Sequence, residues 1–256
     1  MTQIDGKTVF DGMAQLYDEA RPSYPEQLVA DVIGYADLPE DGRVMEIGCG
    51  PGKATIQFAT YGHPMLCVEP GPNLVAVARE KCKDYPVEFQ VCSFEDCTLA
   101  DEEFGLVYAA SAFHWLNREI ALPKIANALK ACGALAIIRN RQAGLDSGIS
   151  EEINELAYKV HAPELVRTSN ESKHVSKDQL EESGLFEDVT VKTYPWSRVL
   201  TTNDYLKLLE THSGHRVFPQ ERKRPLYQAI GEIIDRHGGS VTKPYVATVL
   251  LARRKP

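Results

Sequence analysis

Residues 44–52 read Val44-Met45-Glu46-Ile47-Gly48-Cys49-Gly50-Pro51-Gly52. A short apolar run carrying an acid gives way to glycines at 48, 50 and 52. In the segment that follows, Lys53 to Tyr61, Ala54 and Phe58 stand one helical turn apart. The pattern reads as strand, tight turn, helix. Glycine is needed where the chain takes positive φ or where a ligand must touch backbone. Three alternating glycines point to a ligand lying across the turn, at the helix N-terminus. The dinucleotide fingerprint G-x-G-x-x-G/A would place its third position at Lys53 counting from Gly48, or at Thr55 counting from Gly50. Neither fits, so the spacing disfavours an NAD-dependent dehydrogenase.

A second apolar run, Met65-Leu66-Cys67-Val68-Glu69, also ends in an acid, and Pro70-Gly71-Pro72 closes it. Leu74, Ala78 and Cys82 then recur every four residues, which predicts a helix over 72–83. At the C-terminal end of a second strand, the Glu69 carboxylate can accept hydrogen bonds from both hydroxyls of a ribose. Val87 to Val91 alternates as a third strand. Phe104 to Ala112 gives a fourth, running into Phe113-His114-Trp115, and Ala134 to Ile138 a fifth. Helical spacing covers 26–36 and 117–130. Strands alternating with helices imply an α/β chain with a largely parallel sheet.

An acid followed by G-x-G-x-G resembles motif I of the class I S-adenosylmethionine-dependent methyltransferases. The N-terminal pattern Tyr17-Asp18…Arg21-Pro22…Tyr24-Pro25 looks like the corresponding segment of small-molecule methyltransferases of the trans-aconitate type. The ending Ser111-Ala112-Phe113-His114-Trp115 resembles the trans-aconitate and juvenile-hormone-acid types. The resemblance covers residues 10–140 well and the rest weakly. It implies a doubly wound, Rossmann-like α/β domain of seven strands. The sheet would be mostly parallel with an antiparallel last strand and a helical cap. It implies one domain over 1–256, an N-terminal lid at 10–25 and a cap insertion at 198–240. S-adenosylmethionine would lie across Gly48, Gly50 and Gly52, with Glu69 on the ribose and Ser93, Phe94 and Glu95 on the adenine. Tyr17 and Arg21 would close over the methionine end, Glu46 would reach its amino group, and Ser111 would border it. His114 is the candidate catalytic group, and Tyr24, Trp115, Thr211, His212 and Ser213 the candidate acceptor contacts. Two departures stand out. Gly105 occupies the place of an acid early in the fourth strand, and Ala131-Cys132-Gly133 stands for the usual Pro-Gly-Gly turn.

Beyond residue 140 the pattern loosens. Helical spacing recurs at 149–160, 204–210 and 226–237. A strand is expected over 186–194, ended by Pro195, and a final strand over 245–253. The composition is that of an ordinary globular chain, 43% hydrophobic and 25% charged in 256 residues. A net charge of -8 argues against a nucleic-acid partner. No run is long and apolar enough for a membrane span, and the polar start lacks a signal region. The six cysteines form no C-x-x-C pair, which fits free thiols in a reducing, cytoplasmic setting. His212 and His215 lack the further ligands a zinc site needs, so no metal is expected. The function expected is methyl transfer to a small molecule, at a carboxylate or hydroxyl oxygen, by a monomer or homodimer. The rivals are a tRNA or protein methyltransferase and a non-enzymatic S-adenosylmethionine-binding module.

Overall fold

The computed structural model describes residues 11–145, 147–165 and 175–256. Among them, seven strands form one sheet in the order β3-β2-β1-β4-β5-β7-β6. The strands are β1 (Val44–Ile47), β2 (Met65–Glu69), β3 (Val87–Val91), β4 (Phe104–Ala110), β5 (Leu129–Gln142), β6 (Phe186–Thr201) and β7 (Ser240–Arg254). Strands β1 to β5 pair in parallel, with Val44 beside both Met65 and Leu106. β7 lies antiparallel between β5 and β6. The strand order reverses between β1 and β4, and a crevice opens there at the strands' carboxyl ends.

β1 and β2 are buried at every position. Helices cover both faces of a parallel sheet, so its central strands read as continuous apolar runs. The helices are α1 (Ala14–Ala20), α2 (Glu26–Ala36), α3 (Thr55–Ala59), α4 (Pro72–Lys81) and α5 (Arg118–Ala128). Beyond β5 come α6 (Ser147–Ile153), α7 (Lys159–His161), α8 (Lys177–Glu182), α9 (Thr202–Glu210), α10 (Ser213–Arg216) and α11 (Gln220–Arg236). One core forms around Ile47, Phe104, Val107 and Ile125 on one face. Another forms around Leu28, Phe58, Met65 and Tyr108 on the other.

Two expectations change. β6 does not stop at Pro195 but continues to Thr201, with Pro195 opposite Val246. β6 is an edge strand, so proline's missing N–H removes no ladder bond on the open side. The cap is also larger than 198–240. Residues 198–201 still belong to β6, and the cap core joins Leu208, Leu226 and Ile230 to Ile153 and Ala157 from the connection after β5. Helical spacing was visible at 149–160, but nothing local says which surface it covers. Of the expected lid, residue 10 lies outside the described residues, and the remainder forms a short 3-10 turn, α1 and an extended stretch to Pro25.

The glycines divide their work. Gly48 has φ +69°, and a Cβ there would lie 2.5 Å from the Ala112 Cβ at the end of β4. Gly52, at φ +79°, would place a Cβ 3.2 Å from Ala78 of α4. Gly50, at φ +54°, faces open space. At Gly105, where the resemblance leads to an acid, a Cβ would meet Leu38 Cδ2 at 2.4 Å, so the leucine side chain would have to turn aside. Gly48→Ala is therefore expected to cost about 3 kcal/mol, from overpacking on top of a left-handed backbone. Gly50→Ala should cost about 1 kcal/mol, from the backbone alone. Chemical denaturation of the two variants checks the order, and equal losses would contradict the close approach at Gly48.

Candidate active site

The crevice at the β1/β4 reversal is a chamber of about 1180 Å³, counted to its open mouth. Its wall runs from Glu69 on β2, across the glycine turn and Ser111, to Asn140 and Gln142 at the end of β5 and Tyr245 on β7.

Two carboxylates stand in the chamber wall beside the glycine turn. Glu69 Oε2 accepts from the Gly50 N–H and Oε1 from the Gly71 N–H, both at 3.0 Å. The acid therefore ties the β1 turn to the β2 turn and holds a fixed orientation. Burial raises its pKa above the ordinary carboxylate value, against the pull of the Gly71 and Gly50 amides. Glu46 lies deeper, 1% exposed. Its Oε2 accepts from Thr55 Oγ1 at 2.5 Å and Tyr108 Oη at 2.9 Å, with the Cys67 thiol at 3.8 Å. Burial pushes Glu46 up to about 7, opposed by those hydrogen bonds and helped by the charge of Glu69. Tyr108 in turn stacks on Phe58 of α3, ring centroids 4.0 Å apart.

Ser93, Phe94 and Glu95 form the wall beside Glu69. Ser93 Oγ donates to Asp96 Oδ2 at 2.6 Å, and the Asn117 N–H donates to Glu95 Oε1 at 3.2 Å. Lys124 reaches from α5 to the carbonyls of Phe94 and Glu95, at 2.7 and 3.0 Å, and to that of Cys97. A loop with no regular ladder is thus held in place by one ammonium group.

Ser111 sits at φ +57°, a left-handed conformation that a non-glycine residue seldom takes. Its hydroxyl accepts from Tyr24 Oη at 2.9 Å. Gln57 pins Tyr24 by bonding both its N–H and its carbonyl. Burial raises the Tyr24 pKa, so this phenol stays a donor.

The N-terminal segment straps across the chamber. Asp11 caps α4 by accepting from the Asn73 N–H at 2.8 Å and the Leu74 N–H at 3.1 Å. Asp18 pairs with Lys81 and Lys53. Arg21 Nη2 donates to the Thr211 carbonyl at 2.8 Å, and Lys207 of α9 pairs with Glu19 at 3.2 Å.

Of the predicted residues, Tyr17, Arg21, Tyr24, Glu46, Gly48, Gly50, Glu69, Ser93, Phe94, Glu95, Ser111 and Trp115 all line the chamber. Gly52 does not, because it serves the packing of the turn on α4. His114 does not either. Phe113–Trp115 is a 3-10 turn, and consecutive side chains on such a turn point about 120° apart. Trp115 faces the chamber, while His114 lines a separate small cavity with Ile137, Arg139 and Val175. Thr211 is fully buried, with its hydroxyl on the Leu208 carbonyl of α9. His212 stands one residue behind the wall, its Nε2 2.9 Å from Gln142 Nε2. The Ser213 side chain lies outside what the structure describes. His215 sits between Tyr158 and Tyr227, at 3.0 and 3.3 Å. Among the described residues, no group of three or more His, Cys, Asp or Glu is arranged to hold a metal ion.

Asn140, Gln142 and Tyr245 were not singled out by the sequence. The first two fall just past the apolar core of β5, and Tyr245 on β7 reaches the chamber only because an antiparallel strand inserts beside β5.

The chain matches the methyltransferase-domain family over residues 45–137. An uncharacterized methyltransferase-like protein of Schizosaccharomyces pombe is 27% identical over 90% of this chain and 87% of its own. The trans-aconitate 2-methyltransferase of Variovorax paradoxus is 31% identical over 47% of this chain and 46% of its own. A putative type II methyltransferase from Anaeromyxobacter dehalogenans shares the fold, with TM-score 0.69 at 18% identity over 92% of this chain and 99% of that one. With the glycine turn, the two strand-end acids and the reversed strand order in place, residues 45–137 carry a methyltransferase domain and the fold is that of solved methyltransferases, which supports an S-adenosylmethionine-dependent methyltransferase activity.

Proposed function

We propose that this enzyme methylates a small molecule at a carboxylate or hydroxyl oxygen. The observation that carries the reading is the shape of the chamber. Its wall extends past the glycine turn to β5 and β7 and is bridged by α1 and the cap. From β2 to β7 the wall crosses four strand spacings, about 19 Å. The donor accounts for the part over β2, β1 and β4, and the remainder suits a compact acceptor. A chamber bridged in this way speaks against a tRNA or protein substrate.

The residues fit the donor. Glu69, oriented by two backbone amides, keeps lone pairs for the ribose hydroxyls, and Gly50 leaves room where the nucleoside crosses the turn. Ser93, Phe94 and Glu95 would border the adenine, Tyr17 and Arg21 the methionine end, and Glu46 its ammonium group. Bound S-adenosylmethionine supplies a methyl group already activated by its sulfonium. The protein's part is alignment and exclusion of water, and orientation alone can contribute about 7–11 kcal/mol. Among the described residues, no histidine lines the wall. That favours an acceptor needing no base, such as a carboxylate, whose reference pKa lies near 4. The free thiols and the sequence composition support a cytoplasmic setting.

S-adenosylhomocysteine should bind in the micromolar range, on the order of -8 kcal/mol, and NAD should not bind. Glu69→Ala should weaken that binding roughly tenfold or more. Calorimetry reads both, and an unchanged affinity would overturn the ribose assignment. Methyl transfer should appear within a panel of small acids and phenols. Transfer only to tRNA or protein would overturn the acceptor class.

Glu46 sets a pH dependence. Burial pushes its carboxyl up to about 7, so protonation competes with a bound cation within the neutral range. An ammonium ligand prefers the ionised form. Affinity for S-adenosylhomocysteine should therefore rise roughly tenfold from about pH 6 to pH 8 and then flatten. Glu46→Gln should flatten the profile. A wild-type affinity independent of pH would contradict the contact.

A further inference from the structure

The far end of the chamber holds two donors without acceptors. Tyr245 is 1% exposed, lines the chamber, and its buried hydroxyl has no hydrogen-bond partner. Arg21 also lines the chamber. One of its amino groups is spent on the Thr211 carbonyl, while its buried Nε–H has no partner. A buried donor left unsatisfied costs about 1–3 kcal/mol, and more for a charged group. Two such donors in one chamber are a tension that a ligand would relieve.

The tension is held in place by packing. Tyr245 stacks on Trp196, centroids 4.9 Å apart, and the Trp196 indole N–H donates to Asn140 Oδ1 at 3.1 Å. Asn140 is fixed in turn, its amide donating to the Ser23 carbonyl at 3.0 Å. The phenol therefore cannot swing away to find a partner elsewhere. The surroundings are cationic despite the chain's overall charge. Burial raises the Tyr245 pKa, while the charges of Arg198 and Arg21 pull it down, so both guanidinium groups are close enough to act on it.

Accepting the donor placement above for every residue but Arg21, on which this step rests, we infer that Arg21 Nε–H, rather than closing on the donor's methionine end, forms with Tyr245 O–H the anchor for a carboxylate of the methyl acceptor. The acceptor class is then small organic anions, and Tyr245 is a specificity-determining residue contributed by the antiparallel strand. A neutral amine or neutral phenol would leave the guanidinium unsatisfied. A carboxylate accepts from both donors and meets the local positive field, and a charge-assisted pair of this kind is about twice as strong as a neutral one.

The carboxylate could instead be the one on the donor's methionine end, and the experiment separates the two sources. With the enzyme saturated by S-adenosylhomocysteine, calorimetry measures the binding of acetate, benzoate, glutarate and citrate against their neutral amides. At least one acid should bind, its amide should bind at least tenfold more weakly, and Tyr245→Phe should weaken the acid roughly tenfold. Tyr245→Phe keeps the ring on Trp196, and its affinity for S-adenosylhomocysteine should match the wild type. Arg21→Gln is the second variant and should weaken the same acid. If no acid binds while S-adenosylhomocysteine does, or if Tyr245→Phe leaves acid binding unchanged, the anchor is overturned. If Tyr245→Phe weakens S-adenosylhomocysteine instead, the site belongs to the donor's carboxylate and the inference is wrong. Failure of S-adenosylhomocysteine to bind the wild type would strike the donor placement itself, a result distinct from the others.

Discussion

The buried Glu46 carboxylate ties together the elements on which the rest depends. Thr55 at the start of α3 and Tyr108 in the middle of β4 both donate to the same oxygen. One acid on β1 therefore links the helix after the glycine turn to the strand across the topological switch. Burying a carboxylate costs several kcal/mol before its hydrogen bonds are counted, and well-packed apolar groups would serve stability as well or better. Its retention makes sense if the group is needed at the chamber it lines. The acid fixes where the glycine turn begins, and the turn fixes where Gly50 meets Glu69.

From that point the geometry follows in two directions. Toward β2, the Gly50 and Gly71 amides set the orientation of Glu69. Toward β4, the absence of a side chain at Gly48 lets the segment after that strand, at Ala112, press against the turn. Ser111 is held in a left-handed conformation beside it. Strain of this kind concentrates where a side chain must be presented to a ligand. The roof is assembled separately. Asp11 on α4, Asp18 on Lys81 and Arg21 on Thr211 carry the N-terminal segment from α4 to the cap. These are exposed or half-exposed polar contacts, each worth little alone. A roof held in this way can open to admit ligands without disturbing the sheet.

The glycine turn and the strand-end acids on the β2 side of the chamber were legible in the sequence, because such residues stand at fixed spacing from the strands. Glu69 could be placed at its strand end from its position after Val68, and β1 to β5 located from their apolar runs. The acceptor half was not legible. His114 was singled out because the Ser111–Trp115 ending resembles a turn that reaches the reacting centre in similar chains, but the pitch of a 3-10 turn sends His114 and Trp115 apart. Thr211 and His212 looked like pocket residues on polarity alone, whereas the helix end and Gln142 absorb them. Tyr245 was hidden for the opposite reason. Its strand is distant in sequence, and only the antiparallel insertion of β7 beside β5 brings it to the chamber. Pro195 misled for a related reason, since its tolerance depends on β6 being an edge, a property of the assembled sheet.

The most direct measurement is a crystal structure with S-adenosylhomocysteine bound. The ribose diol should lie on Glu69 and the amino group toward Glu46. The sulfur should face the space bounded by Ser111, Gln142 and Tyr245, with Arg21 Nε and Tyr245 Oη still free of the ligand. A methionine carboxylate seated on Tyr245, or a sulfur turned away from that space, would contradict the division of the chamber into a donor end and an acceptor end.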